Sequence, residues 1–205
     1  MLEIWGRANS ANVKKVLWAC EELAVPHLRH EAGGAFGVVD TEAYRAMNPN
    51  GLVPVVRAGD LVLWESNTIV RWLAAEYPDG GLWIADAGAR AAAEKWMDWS
   101  LSLAQPFRDV VFGLLRTAPE KRDHAAIERG RATCAGLWAI ADRALGEQRY
   151  FSGDRFGIAD IALGPIYYVW NGLDVEKPAT PSLTRWMGEL QSRPAWAKVV
   201  AIGLS

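Results

Sequence analysis

The first 77 residues change hydrophobic period several times. Leu2 to Trp5 is a short apolar run closed by Gly6, and it predicts a buried strand. From Val13 the apolar positions recur at helical spacing through Val16, Leu17, Cys20 and Leu23. Ser10 stands where an N-cap belongs and Pro26 stops the helix. Lys14, Lys15, Glu21 and Glu22 fall off the apolar stripe and read as a solvated face. A second strand is predicted over Leu28 to Glu31, a glycine-rich loop over Gly33 to Gly37 and a short helix over Thr41 to Met47. Val53 to Arg57 and Asp60 to Leu63 read as strands joined at Ala58-Gly59, and Ser66 to Tyr77 as a helix with Ile69, Leu73 and Tyr77 on one side. The order strand, helix, strand, helix, strand, strand, helix predicts a small mixed sheet flanked by helices.

Pro78-Asp79-Gly80-Gly81 breaks the pattern. Beyond it, alanine-rich helical periodicity covers Ala89 to about Leu115, Pro119 to Leu145, Ile158 to Trp170 and Pro181 to Gln191, with a last short helix after Pro194. No strand pattern recurs, so the expectation is an α/β N-terminal domain over 1–77, a linker over 78–88 and an all-α helical domain over 89–205.

Composition narrows the function classes. The chain has 205 residues, 51% of them hydrophobic, enough for a sizeable core, and a net charge of −2. No basic stripe marks a nucleic-acid surface. No apolar segment approaches the length of a membrane span, and the N-terminal segment lacks the pattern of a secretory signal, so the expectation is a soluble, cytoplasmic protein. Cys20 and Cys134 lie far apart and suit a reducing compartment. His27 and His30 have no partner pair, so no metal is expected. Eleven tryptophans are read as bulky core and interface packing.

Candidate chemistry concentrates at two helix starts. Pro54 opens an apolar strand without a backbone donor, and an X-Pro bond can be cis, which turns a strand start into a corner with free backbone groups. Glu65-Ser66 then places a carboxylate, a hydroxyl and orphan amides at one helix N-terminus. That combination suits a small zwitterionic peptide: Ser66 and the amides for a carboxylate, Glu65 for an ammonium. At the first helix, Ser10 and the positive helix end favour a thiolate over a thiol, and the Asn12 amide is a second donor. Each of these residues has a plainer alternative: Ser10 as an ordinary cap, Asn12 as a first-turn residue, and Glu65 and Ser66 as a common helix start.

These residues together resemble the glutathione transferase family over almost the whole chain. Asn48 to Val55, the Glu65-Ser66 pair and the stretch Phe151 to Asp160 are similar to its three most recurrent signatures, and Gly6 to Val13 looks like bacterial theta-like members. The resemblance implies a thioredoxin-like N-terminal domain, a helical C-terminal domain, usually a homodimer, and glutathione as co-substrate. It implies that Val53 is the backbone clamp on the cysteinyl part with Pro54 cis, and that Glu65 and Ser66 are γ-glutamyl contacts. It implies that Ser10 activates the thiol, and that Asn12 matches the asparagine nu-class members use near sulfur. Leu52 sits where many members carry lysine or glutamine, so only its backbone can help. Gly157 replaces the usual capping Ser or Thr, with Asp160 still able to reach back to its amide. Phe107, Val111, Phe112 and Leu115, with Tyr167 opposite, are the expected electrophile pocket, with ordinary bundle core as the alternative for each. The expected activity is detoxifying transfer of glutathione to a small hydrophobic electrophile. Two rivals are a glutathione-dependent disulfide reductase of the nu-like kind and a non-catalytic ligand- or protein-binding member of the fold.

Overall fold

The computed structural model describes residues 1–202. Its contacts divide the chain into two compact units, one built from Met1–Ile84 with the segment that begins at Arg193, the other from Ala85–Ser192.

In the first unit, β1 (Leu2–Trp5) leads into α1 (Ala11–Glu22), then β2 (His27–His30) and α2 (Glu42–Met47). The hairpin β3 (Val55–Ala58) and β4 (Leu61–Trp64) follows, and α3 (Ser66–Glu76) completes the run. The sheet order is β2-β1-β3-β4, with β1 parallel to β2 and antiparallel to β3. The mixed sheet expected from the order of elements is therefore the observed one. Gly6 has a packing reason: a Cβ there would come within 2.4 Å of Cγ2 of the buried Val13 in α1, a clash that a side chain could not avoid without a shift of Val13. The hairpin turns at Gly59-Asp60, one residue later than the periodicity suggested, because Gly59 takes the positive φ that the turn needs.

Two expectations fail in this unit. Lys14 and Lys15 are buried rather than solvated, at 0% and 2% exposure. Lys14 Nζ donates to the carbonyls of Val200 and Ile202, each at 2.9 Å. The segment after Arg193 was expected in the helical domain. Its helix α9 (Pro194–Val199) packs on α1 instead. Arg193 grips Glu22 through two nitrogens at 2.8 and 2.7 Å, Lys198 meets Glu21 at 2.7 Å, and Trp18 and Trp196 cross edge to face. Sequence periodicity shows a helix but not which partner takes its apolar face, and the off-stripe lysines are covered by this returning segment and by α3.

The second unit contains α4 (Ala87–Trp99), α5 (Ala104–Leu115), α6 (His124–Gly146), α7 (Ile158–Gly172) and α8 (Pro181–Gln191). The single helix expected from Ala89 to Leu115 is broken by a 3₁₀ turn over Ser100–Leu103. Pro106 has no N–H to continue an α-helical ladder, and Ser100 Oγ donates to the Met97 carbonyl at 2.6 Å. Six aromatic rings close a circuit in the core: Trp96, Trp99, Trp138, Tyr167, Trp186 and Phe151, with neighbouring centroids between 4.9 and 6.3 Å apart. The start of α7 is tied by Asp160, which is fully buried. Its carboxylate accepts from the amides of Phe151, Ser152 and Gly157 and from Trp186 Nε1. The expected bond from Asp160 back to Gly157 is present at 3.0 Å. Burial pushes the Asp160 carboxyl up to about 6 in spite of these donors.

Candidate active site

Three chain segments of the first unit converge on one cleft. The first runs from Asn48 to Pro54. Asn48 is buried, and its Oδ1 accepts from the backbone and side-chain nitrogens of Asn50 at 3.1 and 3.0 Å, so the loop folds around it. Gly51 takes φ +64 in this turn, where a Cβ would lie 3.2 Å from the Val39 carbonyl. Asn48 Nδ2 and the Tyr44 hydroxyl both donate to the Leu52 carbonyl, at 2.9 and 2.8 Å. Tyr44 is itself buried in a small cluster with Ala32 and Val55, against which Val53 packs, and that burial pushes its phenol up to about 12. The Leu52 carbonyl is therefore occupied from within the chain, while its side chain is 64% exposed.

Val53 is joined to Pro54 by a cis peptide bond and lies outside β3, which begins at Val55. Among the described residues neither the N–H nor the carbonyl of Val53 has a hydrogen-bond partner. A backbone donor and acceptor on one residue at a sheet corner form a short edge to which an extended peptide can add by β-pairing.

The second segment is the start of α3. Glu65 occupies the N-cap with φ 70 and ψ 107, and its side chain makes no capping bond. That backbone geometry turns the chain so that the exposed Glu65 carboxylate and the first amides of α3 border the same cleft. Ser66 is buried, and its hydroxyl donates to Asn12 Oδ1 at 3.3 Å.

The third segment is the start of α1. Asn12 is exposed in the first turn. With its carbonyl oxygen accepting from Ser66, its Nδ2 donors remain for a ligand. Ser10 holds the N-cap position with extended φ and ψ, yet its hydroxyl makes no capping bond and has no hydrogen-bond partner among the described residues.

The cleft, partly open to solvent, is lined by Asn12, Asn48, Asn50, Leu52, Val53, Pro54, Glu65 and Ser66. Six of the seven residues expected at the peptide site thus come together, and Ser10 is two residues outside this lining. The chemistry available is a neutral hydrogen-bonding edge, one exposed carboxylate, one helix N-terminus and an amide donor. Among the described residues no group of His, Cys, Asp and Glu is arranged to hold a metal ion. No helix there is long and apolar enough to cross a membrane.

Sequence comparison decides the family. The profile described as the glutathione S-transferase N-terminal domain matches residues 6–81, and that of the C-terminal domain matches 125–189. The chain belongs to the glutathione S-transferase family. It is 47% identical to glutathione S-transferase GstB of Escherichia coli K12, over the full length of both chains. Its structure matches a theta class glutathione S-transferase from Xanthomonas axonopodis pv. citri, crystallised with glutathione bound, with a TM-score of 0.96. The identity there is 47%, covering 100% of this chain and 99% of the other. Glutathione transferase F2 of Populus trichocarpa is 26% identical with a TM-score of 0.87, covering 98% of this chain and 97% of its own.

For a glutathione S-transferase chain, the second-unit candidates divide by environment. Phe112 and Leu115 on α5 are exposed at 40% and 44%, Phe107 is half-buried and Val111 is buried. Tyr167, expected opposite them, is instead buried in the aromatic circuit, with its hydroxyl 3.0 Å from Thr180 Oγ1. Its neighbours Trp138 and Trp186 come from α6 and α8, which no local pattern around Tyr167 shows. Sequence reasoning missed Asn48 and Asn50 in the lining. The turn-forming run Asn-Pro-Asn-Gly was the available signal, since asparagine side chains organise such turns through their own backbone.

Proposed function

We propose that this protein is a glutathione transferase that binds glutathione along the cleft and holds its sulfur as a thiolate at the N-terminal end of α1. The observation that carries this reading is the unpaired backbone of Val53, in one cleft with Asn12 and the start of α3. The cysteinyl residue of glutathione pairs with the N–H and carbonyl of Val53. The γ-glutamyl carboxylate meets the first amides of α3, since the single proton of the Ser66 hydroxyl is already given to Asn12. Glu65 meets the ammonium. Asn12 Nδ2, the Ser10 hydroxyl and the helix end face the sulfur. A free thiol titrates near ~8.5, and these donors lower that by about 1–2 units, raising the thiolate fraction at neutral pH. The thiolate then attacks a small hydrophobic electrophile, for which Phe107, Val111, Phe112 and Leu115 are the proposed apolar contacts. Names of the relatives and the glutathione bound in the Xanthomonas enzyme support this activity. A cytoplasmic homodimer with a detoxifying role is part of the same proposal, and two free, buried cysteines suit a reducing compartment.

A second reading is glutathione-dependent disulfide reduction with Asn12 as the main sulfur donor. It is favoured by Asn12 lining the cleft where Ser10 does not. Titration calorimetry with millimolar reduced glutathione and ultraviolet detection of the bound thiolate test both readings. Binding with a lowered thiol pKa is expected, and absence of heat and of the thiolate band refutes them. Ser10→Ala and Asn12→Ala assign the credit: loss of the main donor raises the bound thiol pKa by about one unit and slows turnover about tenfold at neutral pH. Turnover of a halogenated aromatic against a disulfide then separates conjugation from reduction.

A further inference from the structure

Lys14 and Lys15 are adjacent, both buried, and solvated by the protein in different ways. Lys14 donates to two carbonyls at 2.9 Å. Lys15 has one hydrogen bond, a long one of 3.3 Å, to the side-chain oxygen of Asn67. Among the described residues it has no other hydrogen-bond partner, and no carboxylate lies within ion-pairing distance. An ammonium carries three donors, so Lys15 is an under-satisfied charge buried away from water, an arrangement that is destabilising unless an anion compensates it.

The position of Lys15 indicates where that anion belongs. Asn67 is the second residue of α3, next to Ser66, and its side chain is buried. Lys15 therefore lies behind the helix start whose first amides border the cleft. The helix N-terminus favours a bound carboxylate on its own, and a buried cation behind it adds a second, independent attraction across a water-poor layer. Among the described residues, Glu65, exposed on the cleft side, is the acid whose charge opposes the effect of burial on Lys15. Glu65 is also the group proposed to be drawn off by the ligand ammonium, which leaves the ligand carboxylate as compensation for the lysine.

We propose that Lys15 is a positioning residue for the γ-glutamyl carboxylate, acting through Asn67 and through its charge without touching the ligand. This rests on the proposed binding of glutathione in the cleft. Its chemistry selects ligands with a carboxylate at that end over neutral peptides of the same shape.

The test uses S-methylglutathione, which has no titrating thiol, and its analogue with the γ-glutamyl α-carboxylate converted to a carboxamide. Both are measured by calorimetry on the wild-type protein and on Lys15→Met, Lys15→Gln and Lys15→Arg, with melting temperatures as the check on folding. The wild type is expected to prefer the carboxylate strongly. Lys15→Met and Lys15→Gln are expected to shrink that preference about tenfold, equivalent to about 1.4 kcal/mol of coupling. Lys15→Arg, which keeps the charge, is expected to retain most of it. A merely structural lysine would weaken both ligands equally, and equal losses or none in the neutral variants overturn the inference while leaving the proposed function intact. Failure of the wild type to bind either ligand overturns both.

Discussion

At the residue scale, Glu65 shows local geometry yielding to a site. A non-glycine residue at φ 70 and ψ 107 is strained, and such strain is tolerated where the surrounding structure holds the residue for a purpose. Here the turn sends the carboxylate and the first α3 amides to the same cleft, something an ordinary extended N-cap would not do. Glu65→Gly relieves the strain and removes the carboxylate. It is expected to raise stability by up to about 1 kcal/mol in urea denaturation and to weaken glutathione about tenfold or more in calorimetry. Glu65→Gln keeps the backbone and loses only the charge, so it is expected to weaken binding without the gain in stability. A Glu65→Gly protein that binds as tightly as wild type refutes the ammonium role.

At the element scale, the start of α7 is held mainly by Asp160, with Ser152 beside it. Asp160 accepts four donors from three different places in the second unit, including Trp186 from α8. Gly157 at the N-cap has no side chain to help, so the first turn is capped from outside it: the Ser152 hydroxyl accepts from the Ala159 amide at 3.1 Å, and Asp160 accepts from the Gly157 amide at 3.0 Å. Asp160→Ala leaves the Phe151 and Gly157 amides and the Trp186 indole N–H buried without that partner, and is expected to lower stability by about 3–5 kcal/mol in urea denaturation. Glutathione affinity, which resides in the first unit under the proposed function, should survive wherever the variant stays folded. A change below about 1 kcal/mol would show that water or neighbouring groups replace the carboxylate.

For the whole molecule, the buried lysines set a pH dependence. Burial lowers Lys14 and Lys15 from 10.5 to about 8. Between about 8 and 10.5 the unfolded chain binds more protons at each than the native chain does, so each makes stability rise with pH in that window. Cys20 and Cys134, pushed up from 9.0 to about 12 by burial, act in the opposite direction above about 9. The lysines are therefore expected to dominate between about pH 8 and pH 9. Urea denaturation at about pH 7.5 and about pH 9 should show wild type gaining stability relative to Lys15→Met. Parallel behaviour of the two proteins would mean that Lys15 titrates at its ordinary value.

The sequence by itself determined the division into a mixed-sheet part and a helical part, because a change of hydrophobic period from strand to helix is written locally along the chain. It also carried the Pro54 corner and the helix start at Glu65-Ser66, because proline chemistry and helix starts act within a few residues of one another, while the Asp160 cap was legible through the resemblance to a family signature. Only the tertiary structure decided which faces are covered. Lys14 and Lys15 look solvated until a segment some 186 residues away supplies carbonyls for one and Asn67 supplies an amide for the other. Tyr167 reads as a pocket residue until Trp138 and Trp186 close around it, and α9 reads as part of the bundle until Arg193 and Lys198 find acids on α1. Burial depends on which distant surfaces meet, and pairing across such distances leaves no periodic trace in either partner.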